Sequence, residues 1–158
     1  MSAALDAPAP RLVAVDYGTK RVGLALADPL RMFARPHGAF SPGAAVEELR
    51  RIHAEEGIET IVVGWPLTLE GEEGAATERV QQYINRLRNA LPAGIRIVKR
   101  DERLTSEMAK DALREAGARR TGRYEEDRGR VDAAAAALIL QDYLDASGKG
   151  GEGERGRG

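Results

Sequence analysis

Asp16 closes the first strongly apolar run, Leu12 to Val15, and Tyr17-Gly18-Thr19-Lys20-Arg21 follows at once. A second apolar run, Val22 to Ala27, begins directly after it. Two β-like runs joined by a short Gly-containing segment read as a hairpin. A carboxylate therefore stands where a strand enters a tight turn. Strand residues are seldom ionised at such a place unless paired or bound to a metal. An Asp can also cap its own turn through the backbone, and this segment alone leaves both roles open. Asp101 and Glu102 follow a later apolar run, Ile95 to Lys99, and Asp132 stands at the start of an Ala-rich segment. With no cysteine and no paired histidine, three carboxylate positions favour a hard cation, Mg2+ or Mn2+, bound through oxygen. Such ions activate water and steady the leaving oxygen in phosphodiester cleavage, often as a pair about 3.5–4 Å apart. Singly, each acid has a plainer role. Asp101 and Glu102 could pair with Arg100 or Arg103, and Asp132 could serve a helix start through the dipole. Their convergence on one sheet edge is what points to a site.

The elements that must position these acids follow from periodicity. Leu12–Val15, Val22–Ala27 and a weaker run around residues 32–40 predict three consecutive strands, with Asp28-Pro29 marking the turn between the last two. Ser41-Pro42 opens a helix that Gly57 ends. Ile58–Val63 is apolar on both faces and predicts a buried parallel strand. Gly64-Trp65-Pro66 stops it. A loop from Leu67 to Gly74 leads to a helix with Val80, Tyr83, Ile84, Leu87 and Leu91 on one face, ended by Pro92. Ile95–Lys99 predicts the fifth strand. A helix is expected from Thr105 or Ser106 to Gly117, a basic loop from Ala118 to Gly129, and a last helix from Val131 to Leu144. The fold class is α/β: a mixed five-stranded sheet flanked by helices, with an antiparallel meander first and parallel strands added by right-handed crossovers. In such sheets ligands gather beyond the carboxyl ends of the strands, where Asp16, Asp101 and Glu102 fall. The expected organisation is a flexible tail over 1–10, one domain over 11–146, and a disordered Gly/charged tail over 147–158.

Composition narrows the partners. The 158 residues include no cysteine, so thiolate chemistry and disulfides are excluded. No apolar stretch is long enough to span a bilayer, and the start lacks signal-peptide features. A cytoplasmic protein with no membrane partner is expected. The formal net charge of −1 argues against a purely electrostatic nucleic-acid binder. Local sign matters more than the total. Arg119, Arg120, Arg123, Arg128 and Arg130 crowd one stretch, and Glu55, Glu56, Glu59, Glu70, Glu72 and Glu73 another. His37 and His53 have no ligand-spaced partner, and Trp65 reads as a packing residue.

Four segments stand in a telling order: Val15-Asp16-Tyr17-Gly18-Thr19-Lys20-Arg21-Val22-Gly23, Gly64-Trp65-Pro66-Leu67, Asp101-Glu102-Arg103-Leu104-Thr105 and Val131-Asp132-Ala133-Ala134-Ala135. Over roughly residues 11 to 145 the chain resembles the YqgF/RuvX family. These bacterial RNase H-like proteins are described as Holliday-junction resolvase-like and as candidate pre-16S ribosomal RNA nucleases. The resemblance implies an RNase H-like fold. It sets the family's strand-one Asp on Asp16, its Asp-Glu-Arg motif on Asp101, Glu102 and Arg103, and its last-helix Asp on Asp132. The related RuvC resolvases carry an acid on strand four. Gly64 stands at that strand end here, so the second acid must come from strand five, as Asp101 or Glu102. Family members usually have Lys near the start of the last helix, where this chain has Arg128-Gly129-Arg130.

Together these readings predict a metal-dependent endonuclease for structured nucleic acid, either a four-way DNA junction or a precursor ribosomal RNA. Asp16, Asp101, Glu102 and Asp132 are the candidate catalytic residues. Asp16, Glu102 and Asp132 are the expected ligands of one or two Mg2+ or Mn2+ ions. Lys20, Arg21, Arg103, Arg119, Arg120, Arg123, Arg128 and Arg130 are the expected phosphate contacts. Cutting two strands of a junction would favour a homodimer. Two rivals belong to other classes. Asp16-Tyr17-Gly18-Thr19 also looks like the phosphate hairpin of an actin-like ATPase, though that fold needs a second such domain. A nucleic-acid adaptor without catalysis could keep the fold.

Overall fold

The computed structural model describes residues 9–102 and 124–149. Among them are five strands and three helices. In chain order they are β1 (Arg11–Asp16), β2 (Val22–Ala27), β3 (Ala34–Phe40), α1 (Pro42–Glu56), β4 (Ile58–Trp65), α2 (Ala75–Ala90), β5 (Arg96–Asp101) and α3 (Tyr124–Lys149). The sheet order is β3-β2-β1-β4-β5. β1, β2 and β3 form the antiparallel meander, and β4 runs parallel to both β1 and β5.

Strand alternation splits the core in two. Val13, Val15, Val22, Leu24, Ile61 and Val63 face one way, into a cluster with Leu49 and Ile52 of α1 and Ile84 and Leu87 of α2. Leu12, Ala14, Ala25, Ala27 and Val62 face the other way, against Ala136, Ile139 and Leu140 of α3. The continuous apolar runs of β1 and β4 are thus explained by helices on both faces. Burying a Leu or Ile side chain here contributes roughly 1.5–3 kcal/mol. Small residues dominate under α3, and that lets the helix lie close to the sheet.

Local signals account for the helix ends. Ser41 Oγ accepts from the Ala44 N–H at 3.2 Å, and Pro42 occupies the first turn. Gly57, at φ 82°, ends α1 in a conformation that favours glycine. Both histidines take structural partners. His53 Nδ1 accepts from the Ile58 N–H at 3.0 Å, and His37 Nε2 meets Glu48 Oε2 at 2.6 Å.

The last helix departs from expectation. It starts at Tyr124, so residues 124–129 are helical where a basic loop is predicted, and it continues to Lys149, past the expected tail boundary. Gly129 reads as a breaker, but one glycine costs only about 1 kcal/mol in a helix interior. The surrounding Glu, Arg and Ala residues favour helix, and packing on β2 and β3 supplies the rest. Asp132 is therefore inside α3 rather than at its start. The helix expected up to Gly117 lies outside the described residues.

Candidate active site at the carboxyl edge of the sheet

Asp16 ends β1 and is 3% exposed. By alternation it faces α3, with Leu12 and Ala14. Its partner on β2 is Gly23. On the other side Val15 pairs with Val63, so Gly64 stands next on β4, and Gly64 pairs with Arg100 of β5. One row across the sheet thus carries a carboxylate with a glycine on each flanking strand.

Both glycines leave space that something else fills. A Cβ on Gly23 would lie 2.1 Å from the Asp132 carbonyl oxygen and 2.4 Å from its carbon. The α3 backbone therefore rests on the sheet at that point. A Cβ on Gly64 would lie 2.1 Å from Glu102 Oε1 and 2.9 Å from Ile139 Cδ1. The Glu102 carboxyl thus lies over Gly64, half-buried, with its backbone N–H donating to the Trp65 carbonyl at 3.3 Å. Asp132 arrives on one side of Asp16 and Glu102 on the other. A glycine inside a strand signals such a close approach. Gly23 and Gly64 carry that signal in the sequence.

Asp101 goes elsewhere. It is the last residue of β5, exposed, and pairs with Trp65. It shares the parity of Ile97, which packs in the α1/α2 core, and of Lys99, whose ammonium lies 4.0 Å from the Trp65 ring centroid. The structure brings Asp16, Glu102 and Asp132 to one face and sets Asp101 on the opposite one.

Asp132 has a specific partner. Arg21 Nε donates to its Oδ2 at 2.9 Å, and both side chains are about one-fifth exposed, 19% and 20%. Among the described residues, no three acids or histidines are gathered closely enough to hold a metal ion in this conformation. Lys20 is exposed in the turn after Asp16. Arg128 lies one helical turn before Asp132, half-buried, and Arg130 is exposed. Arg103, Arg119, Arg120 and Arg123 lie outside the described residues.

The surroundings stiffen this edge. Tyr17 packs on Tyr83 with ring centroids 4.7 Å apart. The Tyr83 hydroxyl donates to the Pro42 carbonyl at 2.8 Å, and burial pushes its phenol up to about 12. Trp65, buried as expected, donates from Nε1 to Glu73 at 3.2 Å. Arg100 donates to Asp142 at 2.8 Å, tying β5 to α3.

A mixed sheet of this order with helices on both faces defines an RNase H-like domain. The sequence model of the RuvX family, described as "Holliday junction resolvase", matches residues 10–146, and the chain belongs to that family. A protein of Salinibacter ruber named "Putative pre-16S rRNA nuclease" is 55% identical over 138 residues, covering 87% of this chain and 94% of its own length. A protein of the same name from Chlorobaculum tepidum is 45% identical over 136 residues, covering 86% and 94%. Among solved structures, T. thermophilus RuvC in complex with Holliday junction substrate superposes with a TM-score of 0.53 at 15% identity, covering 89% of this chain and 96% of that one. That likeness supports the RNase H-like fold. Among the described residues, no helix is long and apolar enough to cross a membrane.

Proposed function

We propose that this chain is a metal-dependent endonuclease acting on structured nucleic acid, with Asp16, Glu102 and Asp132 as the oxygen ligands of Mg2+ or Mn2+. The observation that carries the reading is the pair of glycines flanking Asp16. One makes room for the Glu102 carboxyl, and the other lets the α3 backbone at Asp132 rest on β2. The donors are carboxylate oxygens only, which fits a hard divalent cation. When bound, one or two such ions would lower the pKa of the attacking water and stabilise the leaving 3′-oxygen.

The chain's own residues do the rest. β1 carries Asp16 at its end, and α3 carries Asp132 over the same face of the sheet. Lys20, Arg21, Arg128 and Arg130 supply positive charge for backbone phosphates beside the acids. Asp101 faces away from this set, and its part is best read as shaping the chain that carries Glu102. The names of the relatives favour a precursor ribosomal RNA, and the family description favours a four-way junction. On a junction, two copies would be needed to cut two strands. A chain without cysteine suits the reducing cytoplasm in which both substrates occur.

The test is cleavage of a labelled four-way junction and of a ribosomal RNA precursor, side by side, with Mn2+. Asp16→Asn should slow cleavage on the order of 10³-fold, the loss expected for a metal ligand worth several kcal/mol in the transition state. Binding should stay largely intact. Near-wild-type turnover by Asp16→Asn would refute the reading.

A further inference from the structure

The Arg21–Asp132 ion pair spans the mouth of the candidate site, and it ties a cation to one of the three acids. Arg21 begins where the β1–β2 turn ends, and its Nε lies 2.9 Å from Asp132 Oδ2. The Asp132 main chain packs closely on β2. Its carbonyl rests on Gly23 so closely that a Cβ there would fall 2.1 Å away. The carboxylate can still rotate about its side-chain bonds. In the conformation seen, it turns to Arg21, and among the described residues no three acids close into a metal-binding group. A guanidinium and a dication compete for one carboxylate, since each raises the cost of the other nearby.

We infer that Arg21 is a positioning residue that holds Asp132 off the metal set until a nucleic-acid phosphate takes its guanidinium. This rests on the metal-nuclease reading above. The phosphate and the guanidinium match in fork geometry and charge. Release of Asp132 then completes the oxygen set, so nucleic acid and metal bind cooperatively. Coupling of this kind is reciprocal: nucleic acid raises the affinity for metal by the same factor as metal raises the affinity for nucleic acid. It would keep the chain from holding a loaded metal site when no substrate is present.

The test is Mn2+ binding by calorimetry, not cleavage. Wild type, Arg21→Gln, Arg21→Lys and Asp16→Asn are titrated alone and with a fully phosphorothioate duplex, checked as intact afterwards. Mn2+ held by the duplex itself is subtracted. Arg21→Gln should bind Mn2+ alone about two- to fivefold more tightly than wild type, the range of one partly exposed ion pair. Its gain in Mn2+ affinity on adding duplex should shrink by a similar factor. Arg21→Lys keeps the charge and should restore part of that gain. A residue that merely stabilised the hairpin would lower the melting temperature and leave the gain unchanged. Equal or weaker Mn2+ binding by Arg21→Gln, with the same gain as wild type, overturns the inference and leaves the nuclease reading standing. If wild type with duplex present binds no Mn2+ that Asp16→Asn abolishes, both fall together.

Discussion

At Gly64 a single methyl group separates two outcomes. The atom it would strike first is Glu102 Oε1, at 2.1 Å, the far end of a flexible side chain, and next Ile139 Cδ1 at 2.9 Å. The strand can keep its hydrogen bonds, since Ala is tolerated in a β-strand, and the Glu102 carboxyl can swing away. Gly64→Ala should therefore cost about 1 kcal/mol, at the low end of overpacking, and lower the melting temperature by roughly 2–4 °C. Its effect on cleavage should be far larger, on the order of 10²-fold or more, because the displaced group is a proposed metal ligand. Melting curves and rates on the same preparation separate the two. A Gly64→Ala protein with wild-type turnover would remove Glu102 from the site.

The same substitution one strand over tests an element rather than a side chain. At Gly23 the obstacle is backbone: the Asp132 carbonyl at 2.1 Å and the Ala133 nitrogen at 3.0 Å. No rotamer can relieve it, so α3 must lift from β2. Gly23→Ala should cost about 3 kcal/mol, or roughly 6–12 °C in melting temperature. A shift no larger than that of Gly64→Ala would show that α3 is loosely held there. A second contact between elements gives a pH signature. Glu48 of α1 is held to about 2, from an ordinary 4.5, first by its hydrogen bond from Arg51 and then by His37 of β3. A depressed carboxylate stabilises the fold above its unfolded value, and that gain is lost as pH falls from about 4.5 to about 2. Glu48→Gln should cost about 1 kcal/mol or less at neutral pH, given solvent screening. It should also remove part of the acid destabilisation in that window, read by denaturant melts at several pH values. The hairpin, β4 and both ends of α1 are legible in the sequence because Gly, Pro and Ser mark their boundaries and apolar runs fill their centres. The sidedness of β5 is not, because one residue of uncertainty at a strand end exchanges its two faces. That single residue decides between Asp101 and Glu102. The start of α3 is hidden for another reason: 124–130 has no apolar stripe and contains Gly129, and tertiary packing outweighs both.

Across the whole molecule, a net charge of −1 conceals two unlike flanks of one edge. Glu70 and Glu72 are exposed in the loop after β4. Lys20 follows β1, and Arg128 and Arg130 lie on α3 within one turn of Asp132. A polyanion crossing this edge is repelled from the β4 flank and drawn to the α3 flank. The chain should therefore bind nucleic acid in spite of its acidity, through few contacts and with strong dependence on salt. Each phosphate neutralised on a duplex contributes about −0.9 to the slope of log affinity against log salt. Arg128→Ala with Arg130→Ala should flatten that slope by up to about 1.8 if both touch phosphate. Affinity should fall about equally across sequences, because backbone contacts position the chain without reading bases. Arg88, exposed in the last turn of α2, is the control. α2 leaves the site edge as it runs back towards the start of β5, so its final turn lies at the opposite end of the sheet, and Arg88→Ala should leave the slope unchanged. Fluorescence anisotropy on one duplex over a series of salt concentrations measures all three proteins. An unaltered slope in the α3 double variant would mean that the nucleic acid approaches from another side. A slope flattened equally by Arg88→Ala would mean that the binding is diffuse and that the edge holding Asp16 does not organise it.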